Sequence, residues 1–120
     1  MRAAIRSLMS LDTDDLACWV PESKDWALGL RILAGPDDGP GEESFDLTVC
    51  SLGWLADRVR RDNVYSGRHH LIVERYDWPR IEAWVRRHVA ACQGVDWAEV
   101  AAKISRFAYW EFEDYLASME

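Results

Sequence analysis

Apolar residues recur at every second position through the stretch 26–34: Trp26, Leu28, Leu30, Ile32 and Ala34 alternate with Ala27, Gly29, Arg31 and Leu33. A period of two marks a strand with one face buried. The alternation returns in Phe45, Leu47 and Val49, and the intervening GPDDGPGE (35–42) is too rich in Gly, Pro and Asp to be anything but a turn or loop. The two runs predict a hairpin with an extended tip. Residues 2–10 alternate more loosely and predict a first strand. A polar connection, 11–25, follows it, and there Asp12 or Asp14 is placed to cap a helical turn. A fourth strand is expected within SGRHHLIVERYD (66–77), centred on Leu71–Val73.

Elsewhere the period lengthens. Ser51 is placed to cap a short helix reaching Arg61, with Trp54, Leu55 and Val59 on its inner side. Gly53 in the first turn lowers the propensity of that helix. Asp77 is a good N-cap and Pro79 sits where a first turn tolerates it. Behind them Ile81, Trp84, Val85, His88, Val89 and Cys92 make one helical stripe, ended by Gly94. Asp96 with Glu99 resembles a capping box in which Asp replaces Ser or Thr. It opens a helix whose stripe is Trp97, Val100, Ala101, Ile104 and Phe107.

Phe112, Tyr115, Leu116 and Met119 form a second stripe, rotated from that one by roughly 60° at about 100° per residue. The helix therefore bends, breaks or restarts between Phe107 and Phe112. A helical continuation buries the second stripe and leaves Trp110 and Asp114 outside. A strand instead turns Trp110 and Phe112 inward and Glu111 and Glu113 outward. Both readings keep most of these carboxylates in water.

The order β-β-β-α-β-α-α predicts the α+β class: an antiparallel sheet of about four strands with helices packed mainly on one face. A single domain over 1–120 is expected, because 120 residues that are 49% apolar suffice for one packed core. The 7 Trp belong in that core or half-buried at its rim, where an indole N–H finds a partner.

Charge alters the functional picture more than the fold. The net charge of −7 is unevenly spread: residues 1–50 hold ten acids against four bases, 51–93 five acids against eight Arg, and 94–120 six acids against two bases. So acidic a chain repels phosphates and anionic lipid, and neither a nucleic-acid nor a membrane partner is expected. Within the basic middle, Arg80 and Arg87 flank Trp84 at helical spacing, so stacking on its indole is expected. The start, MRAAIRSLMS, lacks the continuous apolar stretch of a signal peptide. No run approaches the roughly 18 apolar residues of a membrane span. Cys18, Cys50 and Cys92 are widely spaced with no C-x-x-C, which fits small buried thiols in a reduced, cytoplasmic protein.

Candidate chemistry is sparse. There is no G-x-S-x-G and no glycine-rich phosphate loop. His69 and His70 are adjacent, so on a strand they face opposite sides and do not share an ion. His88 lies on an apolar stripe and reads as a hydrogen-bonded core histidine, and DDGPGEE lacks the alternate spacing of a calcium loop. No catalytic, metal or cofactor site is expected. Protein binding is: long-range attraction speeds encounter, and desolvated aromatics hold the complex. Two acidic stretches are the candidate partner-binding surfaces, Asp37, Asp38, Glu42 and Glu43 at the hairpin tip and Trp110, Glu111, Glu113 and Asp114 near the C-terminus. Two alternatives stand beside this one. The first is a small enzyme or ligand-binding domain with a pocket near His69 and His70. The second is a subunit that self-associates through its aromatic C-terminus, and monomer and homodimer are both open.

GRHHLIVERYD (67–77) and GVDWAEVAAKISRFAYWEFEDY (94–115) resemble immunity protein family 8 of bacterial polymorphic toxin systems. ESFDLTVC followed by Trp54-Leu55 fits the same family, and the likeness runs in order from about Arg2 to Tyr115. Its most specific part is the run W-E-F-E-D-Y with the preceding D-W. Leu52-Gly53 departs from the pattern, standing where a Pro-containing helix start is expected. The resemblance implies a small cytosolic α+β antidote, without catalysis or cofactor, that neutralises a cognate basic toxin domain, often a nuclease. Family-wide motif positions such as Trp97, Trp110, Glu111 and Phe112 fit a scaffold as well as an interface.

Overall fold

The period-two runs pair with one another as their alternation demands. The computed structural model describes residues 1–113. It runs β1 (Ala3–Met9), β2 (Ala27–Pro36), β3 (Glu43–Ser51), α1 (Leu52–Asp62), β4 (His70–Val73), α2 (Trp78–Ala90), α3 (Trp97–Ile104) and β5 (Tyr109–Trp110). The sheet order is β1-β2-β3-β4, with β5 also on β3. The class is α+β, and the sheet is mostly antiparallel.

Two features go beyond the sequence pattern. β4 lies parallel to β3, because α1 carries the chain back across the sheet before it pairs again. A fifth strand appears because α3 stops at Ile104, and the turn after it swings Trp110 onto β3 opposite Phe45. The strand reading of this stretch is the observed one at Tyr109–Trp110, where Trp110 is buried and Glu111 exposed, but the strand ends there and Glu113, expected outward, is mostly buried against Arg68. Asp114, Tyr115, Leu116 and Met119 lie outside the described residues.

One face of the sheet builds the core. Leu28, Leu30, Ile32, Phe45, Leu47 and Val49 pack against Ile81, Val85 and Val89 of α2 and against Val100, Ala101 and Ile104 of α3. The helix starts follow their caps. Asp77 accepts from the Arg80 N–H, and Asp96 from the Glu99 N–H at 2.9 Å. The Glu99 carboxylate reaches back to the N–H of Val95 rather than that of Asp96. Ser51 Oγ accepts from both Trp54 and Trp26 N–H groups, so one hydroxyl caps α1 and ties it to the start of β2. Gly53 lets the Asp25 carboxylate lie against the first turn, since a Cβ 1.8 Å from it would push that side chain aside.

α1 lies on the other face, at one end of the sheet. Its Trp54 stacks on His70, and Cys50, on the same side of β3, is fully buried. No α1 residue is fully buried, and Val59, expected on the inner side, is 44% exposed. The helix packs through the flat ring of Trp54 and not through a full apolar stripe. Three smaller expectations also change. Asp15, not Asp12 or Asp14, holds the helical turn of the 11–25 connection, accepting from Ala17 and Cys18. Cys18 is exposed while Cys50 and Cys92 are buried. Trp84 stacks on His88 at 3.8 Å and leaves Arg80 to pair with Asp77; the cation over an indole is Arg58, on Trp54. Among the described residues no helix is long and apolar enough to cross a membrane.

Candidate functional site

The two acidic stretches, sixty residues and more apart in sequence, meet at one end of the sheet. Antiparallel pairing places Trp110 opposite Phe45 and Tyr109 opposite Asp46, which brings the C-terminal run alongside the start of β3. Glu43 is the joint. One of its carboxylate oxygens accepts from the Trp97 indole at 2.9 Å and the other from the Trp110 indole at 2.7 Å. Glu111 accepts from the backbone N–H of Ser44 at 2.8 Å, and its own N–H donates to the Ser44 carbonyl. Glu113, mostly buried, pairs with Arg68. Trp110 is 7% exposed and stacks on Phe45.

The hairpin tip is built differently. The Arg6 guanidinium donates to the carbonyls of Pro36, Gly39 and Gly41, pinning the loop from below. Gly41 adopts φ +102°, and a Cβ on Gly35 would fall 2.0 Å from the Gly41 oxygen, so both glycines are required for the loop to fold back. Asp37 accepts from the Arg2 N–H at 3.3 Å. Asp38 and Glu42 are exposed, and among the described residues neither carboxylate has a partner. The tip thus presents free charge, while Glu111 and Glu113 are tied to donors.

The sheet face opposite α2 and α3 is open between α1 and the tip. Cross-strand register lines up Gly29, Thr48 and His70 as one row across this face, and Arg31, Asp46 and Tyr109 as the next. They floor and wall a groove of about 490 Å³, closed on one side by Leu11 and Asp12 from the loop after β1. Asp12 accepts from the Gly29 N–H at 2.7 Å, doing for β2 what β1 no longer reaches to do. Arg31 makes a bidentate pair with Asp46, and that bond and charge, with Glu111 adding to them, raise its pKa above the usual value. No sequence motif singled out this groove. Its one signal is Gly29, a glycine near the start of an alternating strand.

Both histidines of the alternative pocket line the same groove with their rings occupied. His69 donates from Nε2 to the Ser105 carbonyl at 2.9 Å. His70 donates from Nδ1 to the Arg68 carbonyl, which leaves Nε2 to accept from the Tyr65 hydroxyl at 3.0 Å. His88 likewise donates to the Trp84 carbonyl, as a core histidine should. Among the described residues no group of three or more His, Cys, Asp or Glu is placed to hold a metal ion.

No curated protein and no solved structure matches the chain. The family model described as immunity protein 8 does, over residues 3–115, so the match takes in every element of the sheet and all three helices. By that match the chain belongs to the immunity protein 8 family.

Proposed function

We propose that this protein is an antitoxin-type antidote, acting in the cytoplasm, that neutralises one cognate polymorphic-toxin domain by covering its active site, without catalysis or a cofactor. Family membership supports a protein toxin as partner. The observation that carries the mode of binding is the convergence of the two acidic stretches at one end of the sheet, joined at Glu43. A toxin that acts on a polyanion, such as a nuclease, surrounds its active site with cations. An acidic, rigidly framed surface competes for them and speeds encounter.

Of the eight residues named from sequence, the work divides. Asp37, Asp38 and Glu42 are exposed and supply the attraction, with Glu111 beside them. Glu43, Trp110 and Glu113 hold the frame from beneath, and Asp114 lies outside the described residues. The test is co-expression with the C-terminal domain of the protein encoded immediately upstream. Growth rescue and a co-purifying complex are expected, and the triple variant Asp37→Lys, Asp38→Lys, Glu42→Lys should lose rescue while keeping its fold. Full rescue and unchanged affinity in that variant would remove the acidic end from the interface.

A further inference from the structure

Four glycines of this chain meet a close neighbour or hold a backbone conformation that accounts for them, while Gly39 and Gly67, in loops, meet nothing within 4 Å. At Gly35, Gly53 and Gly94 a Cβ would collide with the chain itself, at 2.0, 1.8 and 2.8 Å, and Gly41 needs its positive φ. Gly29 is different. It is the third residue of β2, paired with Thr48 of β3 but beyond the reach of β1, whose last partner is Arg31, and a glycine in a strand gives it no side chain to pack. Its backbone does not need glycine, and a Cβ there would meet only Asp12 Oδ2, at an ordinary 3.4 Å. The neighbour it has is Asp12, whose carboxylate accepts from its N–H at 2.7 Å. What the glycine does is keep the floor of the open-face groove low.

We infer that the groove over Gly29 and Thr48 is a recognition subsite that receives a lysine or arginine side chain of the toxin domain. The assignment rests on the antitoxin reading and deepens it. Gly29, Thr48 and His70 form a trough one residue wide, and Leu11, 83% exposed, and Tyr109, 46% exposed, stand on its rims. Such exposed apolar and aromatic rims suit a contact that excludes water. The charge selects the occupant. Asp12 has one carboxylate oxygen on the Gly29 N–H and a second with no partner among the described residues. Asp46 lies in the next row, with Glu111 close by, and the one cation among them, Arg31, is already paired. A cationic side chain laid along the trough meets the free Asp12 oxygen and the ring of Tyr109, which attracts cations. The groove is also continuous with the acidic end, since Tyr109 and Glu111 flank Trp110 on the strand that joins them.

The experiment sets stability against affinity. Gly29→Thr puts a β-branched residue into β2 where β3 is its neighbouring strand, and fills the trough. Its melting temperature should equal or exceed that of the wild type, while its affinity for the upstream-encoded toxin domain, measured by calorimetry, falls at least about tenfold. Leu11→Arg, on a side chain too exposed to affect folding, places a positive charge at the rim and should weaken the same complex. Asp38→Lys, outside the groove, serves as the reference for the acidic end. Wild-type affinity in both folded groove variants, with Asp38→Lys weakened, would overturn the subsite and leave the antitoxin reading standing. No complex with the wild-type chain would overturn both. Should Gly29→Thr fail to fold, Leu11→Arg decides alone.

Discussion

The hairpin tip and the C-terminal run look alike on paper: each crowds acids into a short stretch beside turn residues or aromatics. In the fold they do opposite things. The tip leaves Asp38 and Glu42 free in solvent and spends its backbone carbonyls on Arg6. The C-terminal run is tied down through Glu111 on the Ser44 N–H and Glu113 on Arg68, and its Trp110 is held by Glu43. A carboxylate becomes part of the frame wherever the fold delivers a donor that would otherwise be stranded. The two indoles beside Glu43 are such donors, Trp110 buried and Trp97 half-buried. This answers why aromatics and acids interleave near the end of the chain: the rings fill the rim and the acids satisfy what the rings and the sheet edge leave unpaired.

Removing the buried ring should break this contrast most severely. Trp110→Ala empties the site against Phe45 and should cost about 3–5 kcal/mol, read as a lower denaturant midpoint. Glu43→Ala comes next, because it strands two indole donors at about 1–3 kcal/mol each. Glu43→Gln should cost less, since the amide oxygen still serves one of them. A Glu43→Ala protein as stable as the wild type would show that the carboxylate is not the joint. Glu113→Gln, against a half-exposed Arg68, should cost at most about 1 kcal/mol and lose that effect in high salt. The smallest effect is expected at the tip, where Asp38→Lys with Glu42→Lys should change stability by less than about 0.5 kcal/mol. The same pair should slow association with the toxin domain and flatten its salt dependence. A large loss of stability there would erase the distinction between the two regions.

Much of the architecture was legible in the residues. Alternation located β2 and β3 to within two residues, the cap residues Ser51, Asp77 and Asp96 begin the helices they predict, and the clash between two helical stripes announced a break, expected between Phe107 and Phe112 and found after Ile104. These are local matters. A strand's period, a cap's hydroxyl or carboxylate and a turn's glycine act within a few residues of themselves, so a linear text carries them whole.

The site was legible only in fragments. The text named the acids but not that Glu43 would meet two tryptophans more than fifty residues away, and it passed over Gly29 as an ordinary strand position. It also predicted an antiparallel sheet, whereas β4 runs parallel to β3. Strand direction, the seating of Trp110 and the emptiness above Gly29 are decided by long-range pairing, in which each residue's role depends on what the chain brings opposite it. By itself, then, the sequence determined every element but the short β5, their order, the acidic character and the family, because these are written in local periods and composition. The tertiary structure decided which carboxylates are frame and which are surface, and opened a groove where one strand lacks a side chain, because donors and empty space exist only between segments.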